Sequence, residues 1–327
     1  SALCGSLAAI SAANAGDLSV AGGADMTWVS KSDAVTGNPL GIGSNYTLSG
    51  SGDLDNGWSV GLSIAMANAN AYSNTNVTIG IPGIGDIRFD QGVSGTGIMR
   101  MDDMTPTAWE ETDGAGLSAG INKITGTSAG PTIEVTPEGL PAGLTARFAW
   151  SPDSDSGTTT GDKASGGSSG YQDSGYDVTL EAGSDLHGIA GLSVYGGLSN
   201  VDQFQNASGV NGDKEETVIG FKYAVGAFTV GYQQSDEETG TTGTTGYDNV
   251  AYGVTFNVND NLSVSYGHVE SDGKGASADP EADSVQAAYT MGGATFRIAE
   301  VDVENGTYST ATSADSDATI ISLGLAF

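Results

Sequence analysis

Apolar side chains in this chain recur at every second position, hairpin after hairpin, and the residues between them are mostly Ser, Thr, Gly, Asn or Asp. A period of two is the mark of a β-strand with unlike faces. Leu18, Val20, Met26 and Trp28 share one face of the first such segment, with Ser19, Ala21, Asp25 and Thr27 opposite. After Asp55-Asn56-Gly57 the pattern returns as Trp58, Val60, Leu62, Ile64 and Met66. Asn-Gly is a strong hairpin signal because both residues tolerate positive φ. The last segment carries Ile321, Leu323, Leu325 and Phe327 on one face and Ser322, Gly324 and Ala326 on the other. A soluble sandwich would bury such faces in a continuous core, yet the second face of nearly every segment here is polar. A closed barrel with lipid outside and water inside accounts for an apolar face that has no partner sheet.

Composition narrows the class further. Against 51 Gly there are only 8 Pro, and 40 acidic residues against 10 basic ones give a formal net charge of −30. No stretch supplies the roughly 18–20 consecutive apolar residues of a membrane helix. Such an excess of negative charge excludes general nucleic-acid binding, where affinity comes from Lys and Arg on phosphates. Disorder is excluded by the regular Tyr, Phe, Ile and Leu. The segments amount to about sixteen strands of the roughly 9–11 residues that a tilted membrane strand needs. The least regular of them lies at 117–124. Short turns at Asn56, Pro82, Gly139, Ala227, Asp260 and Gly292 alternate with long acidic loops at 31–44, 91–114, 151–170, 201–215, 235–246, 270–283 and 304–317. The expected fold is all-β: a transmembrane antiparallel up-and-down β-barrel forming one domain over 16–327.

Residues 3–10 are apolar and uncharged, and Ala13-Asn14-Ala15 has the form of a signal-peptidase site, so 1–15 reads as the remnant of a secretory signal peptide cleaved near Ala15. Lipidation at Cys4 is disfavoured by the bulky Leu3 before it. With that cleavage the mature chain has no cysteine, and so neither disulfides nor thiolate metal sites.

Alternation also assigns function-bearing residues to faces. Arg88, Arg147, Lys222 and Arg297 each sit between two outward residues and so point inward, making a candidate basic wall from four of the ten basic residues. Lipid alone would turn them inward, since Arg or Lys costs about 2–4 kcal/mol at the midplane, but it does not explain why they stand on strands. Asp90, Glu300 and Asp302 are read as inward too. The loop after Phe89 holds Arg100, Asp102, Asp103, Glu110, Glu111 and Asp113 among Met99, Met101, Met104, Pro106 and Trp109. That many apolar side chains point to a loop folded against something, and the charged ones are the candidate pore constriction. By order it is the third loop on its side. His187 and His268 have no nucleophile at a telling spacing, and the GxG pairs at Gly41 and Gly83 precede no helix, so no enzyme is expected. No cofactor is expected beyond loop-bound divalent cations such as Ca2+, for which Asp153-Ser154-Asp155 and Asp315-Ser316-Asp317 offer hard oxygen donors; solvated loop charge is the simpler reading of both.

The last strand, with Leu323, Leu325 and Phe327, resembles the C-terminal signal of bacterial outer-membrane barrels, which the barrel-assembly machinery reads. The acidic loop after the fifth strand resembles the third loop of the trimeric general porins, and the Gly-rich acidic style is similar to porins of alphaproteobacteria. In that family the third loop folds into the barrel and sets acidic groups opposite a basic cluster. The resemblance implies an outer-membrane porin in contact with outer-membrane lipid, a homotrimer, and passive diffusion of small hydrophilic solutes and ions. Carboxylates in the passage and the overall acidity favour cations weakly. The alternatives are a substrate-specific channel for cationic or sugar nutrients, or a secreted β-rich adhesin.

Overall fold

A computed structural model of the chain describes residues 18–32, 38–68, 71–91, 95–154, 171–204 and 209–326. The expected signal remnant 1–15, Phe327 and Asp155 lie outside these residues. Strands β1 (Ser19–Lys31), β2 (Leu40–Asp53), β3 (Ser59–Ala67), β4 (Ala71–Ile81) and β5 (Gly85–Asp90) run up and down in succession. After a long connection follow β6 (Thr132–Pro137), β7 (Leu144–Ser151), β8 (Gln172–Ala182), β9 (Leu192–Gln203) and β10 (Lys214–Val225). The set ends with β11 (Phe228–Glu238), β12 (Gly246–Asn259), β13 (Leu262–Lys274), β14 (Glu281–Met291), β15 (Ala294–Glu304) and β16 (Ser316–Ala326). Every strand pairs antiparallel with its neighbours in sequence, and β16 pairs back onto β1 to close a barrel. At the closure Trp28 faces Ile321, Met26 faces Leu323 and Ala24 faces Leu325. Closure leaves no free edge for water or lipid to attack, which is what a sheet in hydrocarbon requires.

The alternation resolves into an outside and an inside. Ile42 and Leu18 are 75% and 72% exposed on the outer surface, joined there by Trp150, Phe228, Tyr252, Phe296 and Leu325. Apolar exposure this continuous is stable only against lipid. Phe228 and Phe256, paired across β11 and β12, stack with centroids 4.6 Å apart on this face. At Asn56-Gly57 the chain turns as expected, with φ of +84° at Gly57.

Two expectations fail. Residues 117–124 form no strand, and the connection from β5 to β6 runs the whole way from 91 to 131. Leu117, Ala119 and Ile121 alternate because they pack on the inner wall, against a cluster holding Val301, Val303 and Ile320, and not because they face lipid. The strands also climb into the expected loops: β2 begins at Leu40, β11 continues to Glu238, β13 to Lys274, and β14 begins at Glu281. The upper ends of β11, β13 and β14 carry acidic residues on their outer face, which a hydrophobic pattern cannot register.

Those upper ends invert the polarity of the wall. On β15 Phe296 and Ile298 face out over the lower half, then Glu300, Asp302 and Glu304 face out above, while Ala299, Val301 and Val303 are buried inside. On β16 Ala318 and Ile320 are likewise buried and Asp317 exposed. Glu300 and Asp302 are therefore outward, against the expectation: Arg297 faces in, and one residue's step along a strand changes face. Only Asp90, 5% exposed, lies inside as expected.

Candidate functional site

The long connection folds into the barrel and is fastened to one side of it. Its first turn, Gly97–Met101, buries Ile98 and Met101 against Tyr195 of β9 and Val218 of β10. Asp177 of β8, fully buried, accepts hydrogen bonds from the Ile98 N–H (3.1 Å), the Thr127 N–H (3.2 Å) and the Thr127 hydroxyl (2.9 Å). Glu216 of β10 takes the Thr125 and Gly126 N–H groups at 2.9 and 2.6 Å. Glu134 of β6 takes the Gly97 N–H at 2.7 Å and pairs with Arg100. Gln233 of β11 receives the Met104 N–H at 3.2 Å and donates to the Asp102 carbonyl at 3.1 Å. Gln286 of β14 receives the Trp109 and Glu110 N–H groups, both at 3.0 Å, and returns a bond to the Glu110 carbonyl at 2.9 Å. A loop inside a barrel must satisfy its own backbone, and here strand side chains do it; each bond to a charged partner contributes about 1.5–3 kcal/mol.

Close approach is allowed by a row of inward glycines. Gly231, Gly253 and Gly267 lie opposite one another across β11, β12 and β13. A Cβ on Gly231 would stand 2.5 Å from the Pro106 ring, and one on Gly253 would stand 2.7 Å from the Pro106 carbonyl oxygen. Neither this trough nor the anchors Asp177, Glu216, Gln233 and Gln286 stood out among the inward polar residues. The legible signal was large hydrogen-bonding side chains at inward positions of β8–β14, where small ones would have sufficed.

The expected constriction residues separate into two groups. Asp102, Asp103 and Asp113 line a small, partly open cavity of about 30 Å³ between the loop and the wall, with Lys123, Thr112 and Asn249. Lys123 pairs with Glu111 and, at 3.0 Å, with Asp113. Burial, reinforced by Glu111, pushes the Asp103 carboxyl up to about 6, and Asp102 is raised for the same reasons. Burial alone would lower Lys123, but Asp113 and Glu111 hold it above its ordinary value. Glu110 is exposed; partial burial raises its pKa and Arg297 pulls it back. Trp109 lies under the Arg297 guanidinium, 5.6 Å from ring centroid to carbon. Arg297 also pairs with Asp25 of β1 at 2.8 Å.

No basic wall assembles. Arg88 pairs with Asp90 at 2.5 Å, Arg147 pairs with Glu181, and Arg297 pairs with Asp25. Lys222 lies beside Gly231 and Pro106 and has no acidic partner among the described residues. The four stand on β5, β7, β10 and β15, spread around the circumference because alternation fixes the face of a residue and not its neighbours. From Thr96 to Thr127 the loop makes no hydrogen bond to β1–β4 among the described residues, and β2, β3 and β4 contain no Lys or Arg. Beside that uncovered wall is a lumenal groove of about 540 Å³ whose lining includes Gly23, Asp25, Asn45, Thr47, Thr295 and Arg297.

A closed barrel narrowed by its own third loop on that side is the arrangement that sequence comparison then places. The family model of Gram-negative porins matches residues 1–295. The chain belongs to the Gram-negative porins. Among solved structures the porin is similar to a porin refined at 1.8 Å, with a TM-score of 0.66, 16% identity and 95% of this chain covered against 100% of that one. It is similar also to a mutant of Rh. blastica porin (TM-score 0.59, 15% identity, 95% and 100% covered). The trimer form of OmpT, an outer membrane protein of Vibrio cholerae, matches with a TM-score of 0.64, 12% identity and 96% and 100% covered. These likenesses are of fold. No curated protein matches the chain in sequence. Family and barrel place this porin in the bacterial outer membrane.

The remaining residues of interest fall as follows. Leu323 and Leu325 lie on the outer face of β16 in the closing register. Asp315 accepts the Asn305 N–H at 2.9 Å, and Asp317 faces outward on β16. Ser154 N–H donates to the Asp173 carbonyl at 2.8 Å, which ties that segment to β8.

Proposed function

We propose that this porin is a water-filled channel, and not an enzyme, through which small hydrophilic solutes and ions pass by passive diffusion with a weak preference for cations. The reading rests on one observation: from Thr96 to Thr127 the inward loop is bonded to β6 and β8–β14 and makes no hydrogen bond to β1–β4 among the described residues, and the groove beside that wall is polar. In that groove Arg297 is offset by Asp25, and Glu110 of the loop, near both, is an exposed carboxylate. Fixed carboxylate in a narrow aqueous passage raises the local cation concentration. The wall opposite carries no basic cluster, so the passage lacks the strong transverse field of an acidic loop facing arginines. Assembly as homotrimers is supported by the trimer form of the Vibrio cholerae protein. The test is single-channel conductance of refolded protein in a planar bilayer under a salt gradient. Steps in threes with a cation-favouring reversal potential are expected; folded, inserted protein that does not conduct overturns the reading.

A further inference from the structure

Above the apolar belt, the outer face of β11–β16 opposes like charge with like charge. Across neighbouring strands Asp236 faces Asp248 and Asp248 faces Asp272; Glu270 faces Glu281 and Glu281 faces Glu304; Asp283 faces Asp302 and Asp302 faces Asp317. Directly opposed like charges destabilise a sheet. The first row carries its own remedy: Lys274 bridges Asp236 at 3.0 Å and Asp248 at 3.1 Å. In the second row no Lys or Arg pairs with Glu270, Glu281 or Glu304 among the described residues. A histidine stands there instead.

We propose that His268, Glu270 and Glu281 form a site for a divalent metal ion of the Zn2+ type, on the outer face of β13 and β14 at the end bearing the long loops. The imidazole nitrogen and the two carboxylates bring one ligand atom each to within 4.8 Å of one another. Nε2 of His268 points toward the Glu270 carboxylate at 3.8 Å. Nδ1 is 3.1 Å from Oδ1 of Asp283, and the Tyr266 hydroxyl donates to that same oxygen at 2.5 Å. With Nδ1–H given to Asp283, the lone pair of Nε2 is left free on the side of Glu270, whose cross-strand neighbour is Glu281. A carboxylate behind the histidine is the arrangement that orients metal-bound imidazoles and raises their basicity. Tyr252 stacks on the ring at 4.9 Å and 26°, and the His268 side chain is only 12% exposed, so its orientation is set before any ion arrives. One nitrogen and two carboxylates suit Zn2+ and its neighbours, whereas Ca2+ and Mg2+ favour oxygen alone. The ion would do for Glu270 and Glu281 what Lys274 does for Asp236 and Asp248, tying β13 to β14.

The experiment titrates the full folded chain in detergent with ZnCl2 by calorimetry, with CaCl2 and MgCl2 as comparators. One Zn2+ per chain is expected, bound more tightly than either comparator, together with a rise in unfolding temperature. His268→Ala and Glu281→Gln should each weaken Zn2+ at least tenfold, and Asp283→Asn by about 10–100-fold. Heat-modifiable migration reports that each variant is folded, and conductance should stay at the parent value because none of these residues faces the lumen. Anomalous diffraction at the zinc edge should place the ion about 2.0–2.1 Å from Nε2. Stoichiometric binding that survives His268→Ala, a preference for Ca2+ over Zn2+, or no binding by the folded parent each overturns the site.

Discussion

Two parts of the same inner wall carry different chemistry. Along β8–β14 the inward side chains that matter are large and hydrogen-bonding: Asp177, Glu216, Gln233 and Gln286, all buried beneath the loop. Along β2–β4 they are Gly43, Asn45, Thr47, Ser63 and Thr78, and the loop is not bonded to them. Both parts read as polar in sequence. One holds a loop in place and the other faces water, so the polarity of an inner face says little about what it touches. What distinguishes them is side-chain reach and number of acceptors, which decide whether a backbone can be held away from solvent.

The contrast breaks most sharply if the covered wall is disarmed. Asp177→Ala leaves the Ile98 and Thr127 N–H groups without their acceptor, and each buried group so stranded costs about 1–3 kcal/mol. Thermal unfolding should fall accordingly and single-channel conductance should rise as the loop slackens. The matching change on the other wall, Ser63→Ala, should stay within about 0.5 kcal/mol. Equal losses from both would show that the loop does not depend on these anchors.

A second test adds to the uncovered wall what it lacks. Thr47→Arg places a guanidinium beside the groove and should shift the reversal potential toward anions. Glu110→Gln should move it the same way and by more than Asp102→Asn with Asp103→Asn, because the two aspartates lie behind the loop. The opposite ranking, read in the same salt gradient, would return the selectivity to the buried pair.

A smaller effect concerns pH. Asp103 is raised to about 6 when folded against an ordinary 3.8, so the folded state holds its proton more tightly. Between those values stability falls as pH rises, because the unfolded chain has already released the proton. Asp103→Asn should therefore unfold at a higher temperature than the parent at pH 7, with the gap closing below about pH 4. A gap independent of pH would mean that the carboxylate is not the source. The smallest change expected is from Lys222→Gln, which removes a cation without an acidic partner and should raise cation preference slightly in the same bilayer assay.

The strands and short turns were legible in the sequence because lipid forces a side chain on every second residue to be apolar. The inward loop was legible from Met99, Met101, Met104 and Trp109, since water would not hold them. Its length was not, because Leu117, Ala119 and Ile121 meet an apolar inner wall and thereby imitate a strand facing lipid. The upper ends of β11, β13 and β14 were read as loop for the complementary reason: their outward residues are carboxylates. Partnership was the least legible of all. Arg88, Arg147 and Arg297 face inward as alternation requires, but which acid each one meets depends on strand register and on barrel closure, as in the contact of Arg297 with Asp25 across the seam.

The exchange of faces along β15 and β16 has a consequence for how the barrel rides in its membrane. Below the exchange the outer surface is Phe296, Ile298, Ile321 and Leu325; one step above it is Glu300, Asp302 and Asp317. Sliding the barrel down by a single pair of residues would drag that carboxylate band into hydrocarbon, and sliding it up would bare the aromatics to water. The boundary works as a waterline marked on the hull, fixing the draught of the barrel on this side to within about one strand repeat, roughly 7 Å.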